Sequence, residues 1–320
     1  MLKINECFLC GSKNFNFLYH NRDRLHGVPG EFKIEQCKNC ELIFINPQPT
    51  HSELSKYYPS NYYSFKKIQT YDNHKIKFKL LLYELNYYKN SRRLLRFILG
   101  PVRKFVRIAD LKKDNKILDI GCGSGQFLYE MKQLGIMYCY GVEPFGFDTE
   151  GAKKNNLNIK KCDLLSAKYP SNFFDVITLN HVLEHMDNPA ETLNEIKRIL
   201  KVNGKLIIEI PNTNSMNFSI FGKRWFNLDT PRHLYSYNDK NLKTYLKSLD
   251  FEIDSVKYKG NTLNLGSLDS ILTEMGFKIF IKTRKKIMHV VAFINVFLFD
   301  KLLSLLKWGD SMEIVAIKNG

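Results

Sequence analysis

The sequence feature that most constrains the fold is a glycine-rich turn that follows a short apolar run. Residues 117–125 read Ile-Leu-Asp-Ile-Gly-Cys-Gly-Ser-Gly, and the apolar part predicts a buried strand. Gly121, Gly123 and Gly125 have no Cβ, so backbone N–H groups at the start of the next helix can approach a ligand closely. We therefore expect a nucleotide-like cofactor here. NAD is disfavoured, because Gln126 stands where the Gly-x-Gly-x-x-Gly fingerprint requires its third glycine.

From residue 116 onward, short β-rich runs alternate with helical patterns. This alternation predicts an α/β fold with a parallel, doubly wound (Rossmann-like) sheet that binds ligands at the carboxyl ends of its strands. The last run, 313–317, is expected to pair with 252–258. The predicted strands are 116–120, 138–142, 159–162, 176–179, 205–210, 252–258 and 313–317, and the predicted helices are 125–134, 148–155, 189–200 and 239–249.

Acidic side chains follow the second and third predicted strands. Glu143 ends the second strand, where a carboxylate can accept both hydroxyl protons of a ribose. Asp163 follows the third strand, where it can meet an adenine amino group or cap the next helix. The glycine turn and a carboxylate one strand away together predict a nucleoside site.

Four of the seven cysteines form two Cys-x-x-Cys pairs, Cys7 with Cys10 and Cys37 with Cys40. Turn formers accompany each pair, so four thiolates can converge on one Zn²⁺ as in a zinc ribbon. The gap between the pairs is longer than is usual for a ribbon, and four reduced structural cysteines are the alternative. Four thiolate ligands would leave no open position, so we expect a structural metal and not a catalytic one.

Lys and Arg outnumber Asp and Glu by 48 to 32, and the net charge of +16 favours anionic partners. Much of the excess lies in two apolar-basic stretches, 75–107 and 278–307. Neither has the aromatic-interleaved pattern that suits single-stranded RNA. We therefore favour an acidic small-molecule acceptor or a membrane surface over nucleic acid.

The chain is expected to divide into three parts. Residues 1–70 form a zinc-ribbon-like segment with its linker, 71–110 a basic helical segment, and 111–320 the α/β domain with an apolar helical insertion at about 261–310. The amphipathic helix 287–306 can pack on the core or on a dimer partner, contact a membrane, or cover an apolar substrate.

No run reaches the ~20 apolar residues of a membrane span, and the first residues resemble no signal peptide. We expect a cytoplasmic protein, with peripheral contact to the inner membrane face left open.

The segment 116–212 resembles the class I S-adenosylmethionine-dependent methyltransferases, through its glycine turn and the acid after the second strand. The resemblance implies that S-adenosylmethionine is the cofactor. The contacts that it implies are Asp119, Gly121, Gly123 and Gly125 at the methionine end, Glu143 at the ribose, Asp163 at the adenine, and Asn180 and His181 as pocket walls.

Residues 5–258 and the last strand also resemble a bacterial subgroup of these enzymes. The likeness rests on the Cys-x-x-Cys pairs, on Phe-Ile-Asn-Pro at 44–47, on Asn-His-Val-Leu-Glu-His at 180–185, and on Leu-Asp-Thr-Pro-Arg-His-Leu-Tyr at 228–235. Members carry an N-terminal zinc knuckle and often lie in surface-polysaccharide or sugar-modification clusters. The resemblance implies a structural zinc and methylation, at O or C, of a nucleotide- or lipid-linked sugar.

Methyl transfer to a hydroxyl or an acidic carbon needs an aligned nucleophile and a base. Imidazole suits this role, because its ordinary pKa of ~6.5 leaves it largely neutral at pH 7. His233 follows the fifth core strand and resembles the base proposed for sugar C-methyltransferases. His185, with Glu184 beside it, either polarises the substrate or packs. Arg232 either clamps an anionic group or forms a structural salt bridge.

Other functions stay open with less support. A quinone-like or other lipid-soluble acceptor is favoured by the apolar-basic helices and disfavoured by the zinc knuckle. An RNA methyltransferase is disfavoured, because residues 180–183 read Asn-His-Val-Leu and not an Asn-Pro-Pro-Tyr type of loop. An inert binding module is disfavoured by the intact glycine turn and by Glu143.

Overall fold

The computed structural model describes residues 1–58, 67–70, 111–260 and 303–320. The chain forms two compact units. We call Met1–Ser60 with Leu179–Gly320 the cysteine unit, and Asn61–Thr178 the glycine unit. The predicted basic segment at 71–110 and most of the predicted insertion at 261–310 lie outside the described residues, so the predicted domain boundaries stay predictions.

The secondary structure follows the sequence pattern closely after residue 111. The strands are β1 (Phe15–Asn21), β2 (Phe32–Cys37), β3 (Ile43–Ile45), β4 (Lys116–Ile120), β5 (Tyr138–Val142), β6 (Asn158–Lys160), β7 (Phe174–Asn180), β8 (Leu200–Pro211), β9 (Tyr235–Ser236), β10 (Phe251–Lys259) and β11 (Ser311–Lys318). The helices are α1 (His51–Leu54), α2 (Gln126–Gln133), α3 (Thr149–Lys154), α4 (Pro189–Ile199), α5 (Met216–Phe221) and α6 (Asp239–Ser248), with 3₁₀ turns at Ser55–Tyr57, Leu183–His185, Gly222–Arg224 and Phe226–Leu228.

The glycine unit is an α/β layer. Strands β4, β5 and β6 run parallel, with Leu118 opposite Tyr140 and Tyr140 opposite Asn158. Ile117 and Leu118 are fully buried, which explains why this apolar run forms an inner strand. Strand β7, whose last two residues belong to the cysteine unit, neighbours β4, so the order along the sheet is β7-β4-β5-β6.

The cysteine unit contains a sheet segment in the order β10-β11-β8, and both pairings are antiparallel. The predicted pairing of the last two strands is confirmed, with Val256 opposite Ile314. Helices α4, α5 and α6 of this unit begin at side-chain caps: Asn188 accepts from the Glu191 backbone N–H, Ser215 accepts from the Phe218 backbone N–H, and Asn238 forms a capping box with Asn241.

A second sheet of the cysteine unit is antiparallel throughout, in the order β1-β2-β3-β9. Strand β9 comes from a segment nearly 190 residues away in sequence. The sequence patterns predicted a loop there, because two residues are too few for a period-2 pattern to be visible.

The predicted fold class is confirmed: the protein has an α/β, Rossmann-like fold with a mostly parallel central sheet, and an N-terminal cysteine cluster with an antiparallel sheet. Among the described residues, no helix combines the length and the apolar character needed to cross a bilayer.

Candidate functional site

The glycine turn after β4 has backbone conformations that residues with a side chain rarely adopt. Gly121, Gly123 and Gly125 all have positive φ angles, of 63°, 52° and 83°. A Cβ on Gly125 would lie 2.6 Å from Ile159 Cδ1, which is far closer than carbon atoms can approach. The backbone N–H of Gly121 donates to the carbonyl of Val142 at 2.9 Å, which fixes the turn against the end of β5.

Glu143 lies directly against this turn. Its side chain is 6% exposed, and Oε2 accepts a hydrogen bond from the backbone N–H of Gly123 at 2.9 Å. Oε1 accepts from the backbone N–H of Phe145 at 3.1 Å. Burial raises the pKa of the Glu143 carboxyl, and the two N–H donors oppose part of that rise. A carboxylate has lone pairs for further donors, so it can still accept from ligand hydroxyls.

The other predicted cofactor contacts of the glycine unit differ in exposure. Asp119 is buried, and its Oδ1 accepts from Thr178 Oγ1 at 2.6 Å. Asp163 is exposed, and its carboxylate accepts from the backbone N–H and the hydroxyl of Ser166, both at 2.8 Å. The Ser166 backbone N–H is the main reason that the pKa of Asp163 is low. Asp163 thus caps a turn, which was the alternative to an adenine contact, and the contact itself stays a prediction.

The predicted cofactor contacts Asn180 and His181 belong to the cysteine unit. Asn180 ends β7, and its Oδ1 is buried without a hydrogen-bond partner among the described residues. His181 has a positive φ of 54°, and its side chain is 38% exposed. Their role toward a cofactor stays a prediction.

The two predicted Cys-x-x-Cys pairs converge. Cys7 Sγ lies 3.5 Å from Cys40 Sγ, and Cys10 Sγ lies 3.6 Å from Cys37 Sγ. All four sulfur atoms lie within 4.8 Å of one another. Four thiolates at the usual Zn–S distance of ~2.3 Å would be separated by about 3.8 Å in a tetrahedron. We call these four residues the cysteine cluster, and its geometry fits a zinc ion.

A buried carboxylate among histidines lies after β7. Glu184 is 1% exposed; its Oε1 is 3.3 Å from His181 Nδ1 and 3.9 Å from His233 Nε2. Its Oε2 has no hydrogen-bond partner among the described residues. Burial alone would raise the pKa of Glu184, but the hydrogen bond with His181 and the nearby His233 hold it below its ordinary value. Glu184 is therefore ionised at neutral pH.

His185 and His233 complete this group, which we call the histidine cluster (Glu184, His185 and His233). Each of the three offers a donor atom within 4.8 Å of the others, and the two imidazole rings are 4.5 Å apart. His233 Nδ1 lies 2.8 Å from the carbonyl of Asn227, and His185 Nδ1 lies 3.0 Å from the carbonyl of Arg232. Because a carbonyl can only accept, a neutral ring carries its proton on Nδ1 and has its lone pair on Nε2.

His185 differs from His233 in its surroundings. Burial and, after it, the nearby His233 lower the pKa of His185 to about 4, although Glu184 opposes the shift. Its Nδ1 also lies 3.1 Å from the hydroxyl of Tyr58. Tyr58 lies in the segment 1–70 that the sequence predicts as a zinc ribbon with its linker, and only this contact reveals it as a site residue.

Arg232 is wholly buried, and every N–H group of its guanidinium donates a hydrogen bond within the protein. The donors reach Asp229, Asp23 and the carbonyl of Tyr57. Of the two roles considered for this residue, the structure supports the salt bridge, because no donor remains for a phosphate or carboxylate of a substrate. Asp23 was not recognised in the sequence, where an isolated acid in a loop gives no signal.

The structure is that of an α/β protein with a glycine turn after its first core strand. The sequence profile of a family described as "Methyltransferase domain" matches residues 88–256, which is 169 of the 320 residues. The chain therefore belongs to this methyltransferase family.

Individual relatives cover smaller parts of the chain. An uncharacterized protein of Methanocaldococcus jannaschii, MJ0638, is 33% identical over 39% of this chain and 58% of its own length. The ubiquinone biosynthesis O-methyltransferase of Saccharophagus degradans is 28% identical over 39% of this chain and 56% of its own length. The chain thus spans little more than half the length of either. A solved SAM-dependent methyltransferase from Archaeoglobus fulgidus is 22% identical and has a TM-score of 0.42, covering 74% of this chain and 99% of that one.

Proposed function

We propose that this protein transfers the methyl group of S-adenosylmethionine to an oxygen or carbon of a nucleotide- or lipid-linked sugar during surface-glycan biosynthesis. Family membership and the glycine turn support the methyl transfer. The resemblance of the cysteine pairs and of segments 44–47, 180–185 and 228–235 to sugar-modifying enzymes supports the acceptor class. The observation that carries the acid–base part is the histidine cluster around a buried carboxylate.

The residues of the glycine unit fit the cofactor. Glu143 is a buried carboxylate that accepts a hydrogen bond from the turn, and at Gly125 the packing against Ile159 leaves no room for a side chain. Asp119, Gly121, Gly123, Gly125 and Glu143 would hold S-adenosylmethionine, with Asp163, Asn180 and His181 as further proposed contacts. When bound, S-adenosylmethionine would supply an electrophilic methyl group, whose former bond partner, the sulfonium sulfur, would be released as a neutral thioether.

His233 is the proposed base. The Asn227 carbonyl holds its Nδ1 proton, so Nε2 is the atom that can take a proton from an acceptor hydroxyl or C–H. The ionised Glu184, 3.9 Å from that nitrogen, then stabilises the imidazolium that forms. His185 is neutral at pH 7 and is proposed to orient the acceptor beside His233.

Zinc is proposed at the cysteine cluster as a structural ion. The observation that supports it is the convergence of four sulfurs within 4.8 Å of one another, with two of the distances 3.5 and 3.6 Å. The cysteines are free thiols, and such clusters persist in reducing compartments. We accordingly place the enzyme in the cytoplasm. Contact of segment 287–306 with the membrane is a further part of the proposal, and residues 287–302 of that segment lie outside the described residues.

A quinone-like, lipid-soluble acceptor is the second candidate. The relative named as a ubiquinone biosynthesis O-methyltransferase favours it, as does the apolar stretch near the C-terminus. The histidine cluster could take the proton of a phenolic hydroxyl as well as that of a sugar hydroxyl. The two candidate functions are therefore distinguished only by identifying the acceptor.

The test uses the purified protein with S-adenosylmethionine that carries a labelled methyl group. Separate fractions of a cell extract are offered: nucleotide sugars, lipid-linked sugars, quinones with their precursors, and RNA. Label in either sugar fraction, lost in a His233→Ala variant, is the expected result. Label only in the quinone fraction would establish the second candidate, and label in RNA would contradict both.

A further inference from the structure

Strand β9 joins the histidine cluster to the cysteine cluster. It begins two residues after His233, and β3 begins three residues after Cys40. The two strands pair antiparallel, with Phe44 opposite Tyr235. A path of a few hydrogen-bonded residues therefore leads from a proposed zinc ligand to the proposed base.

The residue after His233 is held on two sides. The carbonyl of Leu234 accepts a hydrogen bond from the backbone N–H of Ile45 at 3.1 Å, at the end of β3. Its backbone N–H donates to the carbonyl of Glu184 at 2.8 Å. The Leu234 backbone thus connects the antiparallel sheet on one side with the main chain of the buried carboxylate on the other.

A side chain of the first Cys-x-x-Cys pair also packs on β9. Phe8 lies between Cys7 and Cys10, and its ring meets Tyr235 edge-on with centroids 5.0 Å apart. The same ring meets Tyr245 of α6 at 5.5 Å. The conformation of the loop between these two cysteines therefore decides whether Phe8 can support β9.

We propose that the zinc-loaded cysteine cluster is the positioning element of His233. Zinc fixes the loop that carries Phe8 and the start of β3, and these hold β9 and Leu234 in the register that places His233 beside Glu184. The inference rests on the proposed function, because the position of His233 matters for catalysis only if His233 takes the proton. A base on a loop needs such support, since a shift of about 1 Å can cost roughly a hundredfold in rate.

The test is hydrogen exchange on the full-length, zinc-loaded protein. Phe8→Ala removes the ring contact with β9 but leaves all four thiols. Phe17→Ala is the matched control, because Phe17 lies on β1 of the same sheet and is 53% exposed. We expect the backbone N–H groups of Ile45 and Leu234 to exchange at least tenfold faster in Phe8→Ala, with strands β8 and β11 unchanged and with no such effect in Phe17→Ala.

Unchanged exchange at Ile45 and Leu234 in Phe8→Ala would overturn the proposal. An equal acceleration in β8 and β11 would also overturn it, because it would show a general loss of stability. If Phe8→Ala loses zinc, the experiment tests zinc removal instead. Faster exchange at Ile45 and Leu234 alone is still expected, and unchanged exchange there or equal acceleration in β8 and β11 would still contradict the proposal.

Calorimetry with S-adenosylmethionine separates this inference from the proposed function. Wild-type protein that does not bind the cofactor would end the methyltransferase proposal and leave the exchange result standing. Once an acceptor is known, Phe8→Ala should lower kcat at least tenfold while the Kd for the cofactor stays within twofold of wild type.

Discussion

The backbone N–H of Gly123 donates a hydrogen bond to Glu143 Oε2 at 2.9 Å. This bond joins the glycine turn to the acid one strand away, so the two sequence features that predicted a nucleoside site are in direct contact. It also keeps the carboxylate fixed before any ligand arrives, which reduces the ordering cost of binding.

Glu143→Ala should weaken the binding of S-adenosylmethionine. The change removes two acceptor oxygens that ribose hydroxyls would use, and bonds to a charged acceptor contribute about 1.5–3 kcal/mol each. The Kd measured by calorimetry should rise by roughly 10- to 150-fold for the loss of one such bond. Glu150→Ala, an exposed glutamate on α3, should leave the Kd unchanged. Unchanged affinity in Glu143→Ala would refute the placement of the pocket.

Gly125→Ala should destabilise the protein more than Gly27→Ala. Both glycines have positive φ, of 83° and 69°, so both variants carry similar backbone strain of about 1 kcal/mol. Only at Gly125 does the new Cβ clash, with Ile159; nothing lies within 4 Å at Gly27. Thermal unfolding should show the lower Tm for Gly125→Ala, together with weaker cofactor binding. Equal Tm values would mean that the turn relaxes around the methyl group.

His233→Ala should retain cofactor affinity but lose turnover. A positioned base contributes roughly 10²- to 10⁴-fold to a rate, and this is the expected loss in kcat. His20→Ala removes a half-exposed histidine from β1 and serves as the control. A fully active His233→Ala enzyme would show that His233 is not the base, and His185 would then be the next candidate.

Purified protein should contain one zinc per chain by elemental analysis. Cys37→Ser should lose this zinc, because it removes one of four converging thiolates, whereas Cys162→Ser should keep it. His233→Ala should have no effect on the zinc content. A second zinc that disappears in His233→Ala would show that the histidine cluster binds a cation, and it would contradict the role of His233 as a base.

Asp23→Asn should lower stability in a way that depends on pH. Burial alone would raise the pKa of Asp23, but the Arg232 guanidinium holds it below the ordinary value of ~3.9. The ion pair therefore stabilises the fold fully above that pH, and the stabilisation is lost as the pH falls through the lower folded-state pKa. At pH 7 the free energy of unfolding of Asp23→Asn should be lower than that of wild type by about 3–5 kcal/mol, because Arg232 is left buried with fewer partners.

Denaturant unfolding at several pH values checks the Asp23→Asn prediction. The difference in the free energy of unfolding between wild type and variant should begin to narrow below about pH 4. It should vanish as the pH falls through the lower folded-state pKa of Asp23, where the wild-type ion pair is itself lost. Asp254→Asn, an exposed site on β10, is the control and should show no gap. A gap that does not change with pH would mean that Asp23 acts through its backbone contacts and not through its charge.

Local sequence determined most of the described part of the glycine unit. Strands β4 and β5 begin and end at the predicted residues, because short runs of mostly apolar residues between turn formers give a strong signal for an inner strand. The glycine turn and Glu143 could be found for the same reason, since both lie at fixed offsets from these strands. The cysteine cluster was also visible, because its spacing is a pattern in itself.

Only the tertiary structure brought Arg232 to Asp23, His185 to Tyr58, and β9 to the sheet of the cysteine cluster. The residues of each pair are separated by 209, 127 and about 190 positions in the chain, and no local propensity encodes such distances. The sequence determined which residues can do chemistry, through side-chain type and spacing along one strand or turn. Which of them meet was decided by packing, because burying Arg232, Glu184 and Tyr235 requires partners that only the folded chain can supply.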